Sequence, residues 1–244
     1  MPKVTQILLD CDNTLVMSEE LAFEACAEIA NEILAKRNIT DRYTGEQLIQ
    51  DFVGQNFRGM MISLQAKYKF DMDKEEFEHY VKEEENKVIA NLEAKARPCI
   101  GANEQLEKLQ KSGKYGMAVV SSSALRRVQA SLKKVGQDKF ISPNHIFSAA
   151  SSLPKPTSKP DPAIYLHALD RVGKKPEECV AVEDSKSGAL SALRAGIPVI
   201  AYVGCYHGDE KRAEMAKQLS DLGAKVIMKD WDEFQDCLAQ IEAF

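Results

Sequence analysis

The chain has 244 residues, 44% of them hydrophobic, and a net charge of −5. That is enough apolar content for one large domain or two small ones with a real core, and it argues against disorder. Lys and Arg are scattered instead of clustered, which removes the electrostatic footprint of a nucleic-acid binder and points to a small-molecule partner. No apolar run approaches the ~20 residues needed to span a bilayer, and the N-terminus lacks the basic and apolar regions of a signal peptide. The expectation is a cytoplasmic protein without nucleic-acid or membrane partners. Six cysteines (Cys11, Cys26, Cys99, Cys179, Cys205, Cys237) form no C-x-x-C pair, and four histidines form no H-E-x-x-H. Reduced core thiols are therefore expected, not a disulfide framework or a zinc site.

The first element is a short apolar run, Ile7-Leu8-Leu9, leading into Asp10-Cys11-Asp12-Asn13-Thr14. Alternation along a strand turns residues i and i+2 the same way, so Asp10 and Asp12 aim two carboxylates into one volume. Like charges that close raise each other's pKa and favour a shared proton or a bound cation. Cys11 is turned to the opposite face, as a small apolar side chain. The plainer reading of Asp12-Asn13-Thr14 is a turn that bonds its own backbone.

A helix follows, with Leu21, Ala25, Ile29 and Ile33 repeating every four residues behind Ser18 as N-cap. Thr44 to Gln47 and Asp73 to Glu76 have capping-box spacing. Phe77, Tyr80, Val81, Val88 and Leu92 then form an apolar stripe, with Glu83-Glu84-Glu85 largely on its solvated side. Residues 17–96 thus read as all-helical. In the break between helical segments, Gly54-Gln55-Asn56-Phe57-Arg58 is a candidate substrate-reading loop in which Gln55, Asn56 and Arg58 can donate hydrogen bonds. A helix-helix connector with a surface arginine is the competing reading.

From Arg97-Pro98 the pattern changes to helices alternating with short β-rich runs at 116–120, 145–148, 179–183, 198–203 and 224–228. Helices are expected at Ala124–Val135, closed by Gly136, and at Ser187–Ala195, closed by Gly196. This is the signature of a parallel sheet with helices on both faces. The expected fold class is α/β: a three-layer α/β/α, Rossmann-like core of residues 1–16 and 97–244, with an all-helical cap, 17–96, inserted.

Three more motifs fall where predicted strands end, the edge at which open α/β sheets bind ligands. Ser121-Ser122-Ser123 can present the Ser121 hydroxyl and the Ser122 amide to phosphoryl oxygens, or can be a serine turn with Ser123 as N-cap. Lys159 lies in Lys159-Pro160-Asp161-Pro162, where a solvated loop lysine is the plainer alternative. Glu183-Asp184 needs a cation or a helix N-terminus to offset its charge.

In this order the four motifs resemble the haloacid dehalogenase superfamily, specifically its helical-cap phosphatases and phosphomutases, over nearly the whole chain. The resemblance implies a nucleophilic aspartate at Asp10, an acid/base aspartate at Asp12, phosphate binding by Ser121, Ser122 and Lys159, and Mg²⁺ held by Asp10, the Asp12 carbonyl and Asp184, with Glu183 coordinating directly or through water. Lys155-Pro156 is followed by Thr-Ser and does not fit the lysine motif, whereas Lys159-Pro160-Asp161-Pro162 does. Where the family usually has glycine this chain has Asn13, the side chain that best tolerates a left-handed backbone. The implied activity is Mg²⁺-dependent hydrolysis of a small phosphomonoester through an aspartyl-phosphate. The stretch from Glu183 to Pro198 resembles the sugar-phosphate and polyol-phosphate branch, and the Asn13 variant keeps nucleotide monophosphates in play. A phosphomutase of the β-phosphoglucomutase type is the rival enzyme, and a non-catalytic binding protein is the rival from another class. Dehalogenation is disfavoured because Asp12 supplies an acid that an alkoxide leaving group needs and a halide does not.

Overall fold

The computed structural model describes residues 4–52 and 55–243. These form two compact units: the chain up to Met17 together with Arg97 onward, and the insertion Ser18–Ala96. In chain order the first unit opens with β1 (Gln6–Leu9) and β2 (Val16–Met17). The insertion holds α1 (Glu19–Lys36), α2 (Gly45–Asp51), α3 (Phe57–Tyr68) and α4 (Lys74–Lys95). β3 (Arg97–Pro98) then returns the chain antiparallel to β2, with Val16 opposite Pro98 and Met17 opposite Arg97. Met17, grouped with the helical segment on sequence grounds, is thus part of a two-strand ribbon.

The rest of the first unit alternates strictly. It runs α5 (Ala102–Ser112), β4 (Gly116–Ser121), α6 (Leu125–Lys134), β5 (Ile146–Ser148) and α7 (Ala163–Val172). It continues with β6 (Cys179–Glu183), α8 (Lys186–Arg194), β7 (Val199–Tyr202), α9 (Asp209–Leu222), β8 (Val226–Met228) and α10 (Phe234–Ala243). The sheet order is β5-β4-β1-β6-β7-β8, and every pair is parallel. β1 is central, with Leu9 opposite both Val119 of β4 and Val182 of β6. The strand order reverses at β1, and in open α/β sheets the crevice beyond the strand ends at such a point is where ligands bind.

Strands covered on both faces are apolar throughout instead of alternating, which is why β1, β4 and β6 are nearly continuous hydrophobic runs. On one face Leu8, Ala118, Val120, Ala181, Val199 and Ala201 pack against Ile164 and Ala168 of α7, Ala189 and Ala192 of α8, and Leu219 of α9. The alanines on both sides let helix and sheet backbones approach closely. The opposite face carries buried Ile7, Leu9, Val119, Val180, Val182 and Ile200, and α5, α6 and α10 bury Leu106, Leu132 and Leu238. The architecture is a three-layer α/β/α fold.

In the insertion, Ile33, Leu34, Leu48, Met60, Met61, Leu64 and Tyr80 share one core. The start signals operate as chemistry requires. Thr44 and Gln47 close a full capping box on α2, and the Asp73 side chain accepts from Glu76 N at 2.8 Å at the start of α4. Ser18 occupies the N-cap position of α1 but makes no side-chain cap bond; Glu19 and Glu20 in the first turn complement the helix dipole there. Glu84 departs from the sequence expectation. Tyr80, Glu84, Val88 and Leu92 share one buried stripe of α4, and the Cys26 thiol donates to Glu84 Oε1 at 3.3 Å. Among the described residues no helix is long and apolar enough to cross a membrane.

Candidate active site

Three adjacent strand ends and one loop build the site. Asp10 directly follows β1 and its backbone N–H donates to Val182 O at 3.0 Å, which locks it beside the end of β6. Ser121 is the last residue of β4 and Glu183 the last of β6, so the sheet order alone brings Asp10, Ser121 and Glu183 together. Lys159 reaches them from the loop ahead of α7. Its Nζ donates to Asp10 Oδ1 at 2.6 Å, to Glu183 Oε1 at 2.6 Å and to Val120 O at 2.7 Å. An ammonium has three N–H bonds, and these three acceptors use them all. Lys159 is buried and is not a solvated loop lysine.

Burial acts to lower the Lys159 pKa, but the Asp10 and Glu183 carboxylates outweigh it and raise it, so the side chain stays charged. The Asp10 carboxyl is raised by burial and by Asp12, against the pull of Lys159. Burial likewise pushes Glu183 up to about 7, while Lys159 opposes it. The lysine opposes the desolvation that raises both buried carboxyls, and without it a proton on one of them would be favoured further.

Asp12 faces the serine turn. The Ser123 hydroxyl donates to Asp12 Oδ2 at 2.8 Å and the Ser121 hydroxyl to the same oxygen at 3.3 Å. Ser122 plays a different part, its Oγ accepting from the Lys159 backbone N–H at 3.1 Å. Ser123 is not the helix cap that the plainer reading made it: Ala124 stands at the N-cap of α6, and Leu125 N donates to Ser151 Oγ at 3.2 Å. Asn13 has φ 57, the left-handed conformation that the missing glycine would have supplied. The carbonyls beyond it are anchored from far along the chain. Trp231 Nε1, fully buried, donates to Thr14 O at 3.0 Å, and Gln137 Nε2 donates to Leu15 O at 3.1 Å.

Tyr165 of α7 was not singled out by the sequence. Its hydroxyl donates to Glu183 Oε1 at 2.5 Å, joining Lys159 on that oxygen. Its position three residues after Pro162 carries no motif signal, and only the packing of α7 on the sheet brings it there. Asp184 accepts from the Cys205 thiol at 3.8 Å, and Tyr206 donates to its backbone carbonyl at 3.0 Å. The N-cap of α8 is Ser185, whose Oγ accepts from Gly188 N at 3.1 Å, so neither acid of the pair serves as the cap.

One oxygen each from Asp10, Glu183 and Asp184 lies within 4.8 Å of the others, and the buried Glu183 Oε2 has no hydrogen-bond partner. A hard, all-oxygen donor set of buried carboxylates with an orphaned oxygen fits Mg²⁺, which binds through one or two carboxylates and keeps water. A soft metal prefers thiolate or imidazole ligands, and the three grouped atoms here are all carboxylate oxygens. Cys11 lies just past the end of β1, beside Ser131 Oγ of α6, and burial raises its pKa well above the normal range; it is no thiolate nucleophile.

A Cβ on Gly188 would overlap the Glu183 carboxylate. Alanine at a helical position is worth ~1 kcal/mol over glycine, but overpacking costs about 1–3 kcal/mol, at the upper end where the obstacle is a buried ion pair that cannot swing away. Gly188→Ala is therefore expected to lower Tm by several degrees, read by thermal denaturation. A rise in Tm would show that Glu183 has room to move.

The insertion residues have local partners. Asn56 is the N-cap of α3, its Oδ1 accepting from Gly59 N at 3.0 Å, and Gln55 Oε1 accepts from Ser63 Oγ at 2.9 Å. Arg58 forms a bidentate pair with Glu78, both bonds 2.7 Å and both side chains half-exposed. Gly54, the first residue of that candidate loop, lies outside the described residues.

The structure is thus a parallel α/β sheet with two aspartates beyond its central strand, a buried lysine between carboxylates and an acidic pair at the end of the next strand. The family model for haloacid dehalogenase-like hydrolases matches residues 7–202, and the chain belongs to that family. It is 29% identical over 223 residues, 91% of this chain and 93% of the relative, to a phosphorylated carbohydrates phosphatase of Thermotoga maritima. It is 27% identical to a 6-phosphogluconate phosphatase of Escherichia coli over 199 residues, 82% of each chain. Among solved structures, a haloacid dehalogenase family hydrolase from Deinococcus radiodurans with bound phosphate and sodium is 25% identical. It superposes with a TM-score of 0.70 over 99% of this chain and 97% of that one.

Proposed function

We propose that the protein is a Mg²⁺-dependent phosphatase that hydrolyses a small phosphomonoester, a sugar or polyol phosphate, through an aspartyl-phosphate. The observation that carries this reading is the placement of Lys159 Nζ at 2.6 Å from both Asp10 and Glu183, with Asp12 held by serine hydroxyls at the neighbouring strand end. The names of the Thermotoga and Escherichia relatives support the substrate class.

Asp10 is the nucleophile: its carboxylate oxygen bonds to phosphorus as the ester P–O bond breaks, and Asp12 delivers a proton to the departing alkoxide. Asp12, now a carboxylate, takes a proton from water as the water oxygen attacks phosphorus. The Asp10–phosphorus bond then breaks, releasing phosphate and restoring both aspartates. Lys159 and Ser121, with the Ser122 amide, stabilise charge on the equatorial oxygens. Asp10, the Asp12 carbonyl, Asp184 and Glu183 would hold Mg²⁺, which when bound neutralises the repulsion between the carboxylates and a phosphate dianion. Gln55, Asn56 and Arg58 are the proposed contacts to the leaving group; for Arg58 that role requires parting from Glu78, an exposed pair worth only ~0.2–1 kcal/mol.

The test is phosphate release from p-nitrophenyl phosphate and from a panel of hexose, polyol, glycolate and nucleotide phosphates. Mg²⁺-dependent release of inorganic phosphate, silenced by chelator and restored by excess Mg²⁺, is the expected result, with Ca²⁺ inhibiting. Full activity in excess chelator would remove the metal, and return of the phosphoryl group to a second sugar hydroxyl without phosphate release would make the enzyme a mutase.

A further inference from the structure

We infer that Ser123 is a positioning residue for Asp12, fixing the carboxyl through Oδ2 so that it is aimed at the oxygen of the departing alcohol. The inference rests on the proposed role of Asp12 as leaving-group acid and extends it to a serine of the same turn to which the family resemblance assigns no role.

Two hydroxyls converge on Asp12 Oδ2, but they are not equivalent. Ser121 is 3.3 Å away, at the weak end of an O–H···O contact, while Ser123 at 2.8 Å is at the usual length. Ser121 also accepts from Ser123 N at 3.0 Å, which ties the two serines into one turn. When a phosphoryl group occupies the site, the Ser121 hydroxyl turns to it, while Ser123 keeps its bond to Asp12 Oδ2.

Ser123 is itself held from behind. Its carbonyl accepts from the Ser148 hydroxyl at 2.7 Å, and Ser148, at the end of β5, is fully buried. Its hydroxyl is also not used to cap α6. A serine one residue before a helix cap that turns its side chain to an aspartate 111 positions earlier is a fixed tertiary contact, not local turn chemistry. A general acid must lie within hydrogen-bond reach of the atom it protonates, and displacement of about 1 Å costs up to roughly 100-fold.

Leaving-group dependence tests this. Nitrophenolate departs without a proton, whereas an alkoxide needs one, so kcat/KM for an alkyl phosphate depends on Asp12 and that for p-nitrophenyl phosphate depends on it far less. Both values stop at the first irreversible step, which keeps the later water attack out of the comparison. In Ser123→Ala the loss in kcat/KM on a hexose 6-phosphate that the wild type hydrolyses, or on the best alkyl ester of the panel, is expected to exceed the loss on p-nitrophenyl phosphate by about tenfold or more. Ser123→Thr, which keeps the hydroxyl, is expected to restore most of it, and that rescue separates positioning from a folding defect. Equal losses on the two esters, no loss on either, or failure of Thr to rescue would each overturn the proposal. Asp12→Asn is the control for the reading beneath it. If that variant loses both activities equally, or the wild type hydrolyses neither ester, the acid role of Asp12 or the phosphatase reading fails first and carries Ser123 with it.

Discussion

Asp10→Asn is expected to reduce turnover to a trace, a loss on the order of 10⁴-fold or more in kcat, comparable to removing other enzymatic nucleophiles. The amide is a poor nucleophile and a weaker metal ligand, and it also replaces the ionised partner of Lys159 with a neutral one. The fold should survive, because burial already raises the Asp10 carboxyl, and removing that charge relieves desolvation while Lys159 keeps Glu183. Wild-type protein acid-quenched during turnover should carry a phosphoryl group on the peptide containing Asp10. A label found on another residue, or an Asp10→Asn variant with substantial activity and an intact circular dichroism spectrum, would show that the wrong carboxylate has been assigned.

Lys159→Ala is expected to lower kcat/KM by about two orders of magnitude or more, the scale seen when one preorganised electrostatic donor to a transition state is removed. Unlike Asp10→Asn it should also destabilise the metal-free protein. It leaves Asp10 and Glu183 buried beside each other with no cation, and breaking a buried ion pair from one side costs about 3–5 kcal/mol. Lys155, exposed on the same loop, gives the contrast: Lys155→Ala should leave activity intact and change stability by no more than ~0.5 kcal/mol. Steady-state kinetics and thermal melts on both variants decide it. The opposite pattern would mean that Lys155-Pro156, not Lys159-Pro160, is the functional pair.

What the sequence made legible was whatever a local pattern encodes. The apolar runs that became β1, β4 and β6, the capping spacings at Thr44 and Asp73, and the tolerance of Asn13 for a left-handed backbone were all readable within a few residues. The motif order placed Asp10, Ser121 and Glu183 at strand ends that parallel pairing brings together, and Lys159 joins them from the loop ahead of α7. Illegible were the contacts made by residues with no spacing to reveal them. Tyr165 to Glu183, Trp231 to Thr14 and Gln137 to Leu15 depend on how whole helices and loops dock. Glu84 was misread because three consecutive glutamates look solvated; a helix turning 100° per residue sends one of them inward.

The β2–β3 ribbon bears on how such a chain can be assembled at all. β1 and β4 are immediate neighbours in the sheet, yet Ser18–Ala96 intervenes between them in sequence and roughly quadruples the span to be closed. Closure entropy grows only logarithmically, about 0.6 kcal/mol per doubling, so the detour costs the sheet on the order of 1 kcal/mol. Because Val16 and Met17 pair with Pro98 and Arg97, the insertion leaves and rejoins through adjacent strands, and its own ends are already joined. A helical unit attached in this way can be lengthened, shortened or exchanged with little effect on the folding thermodynamics of the sheet.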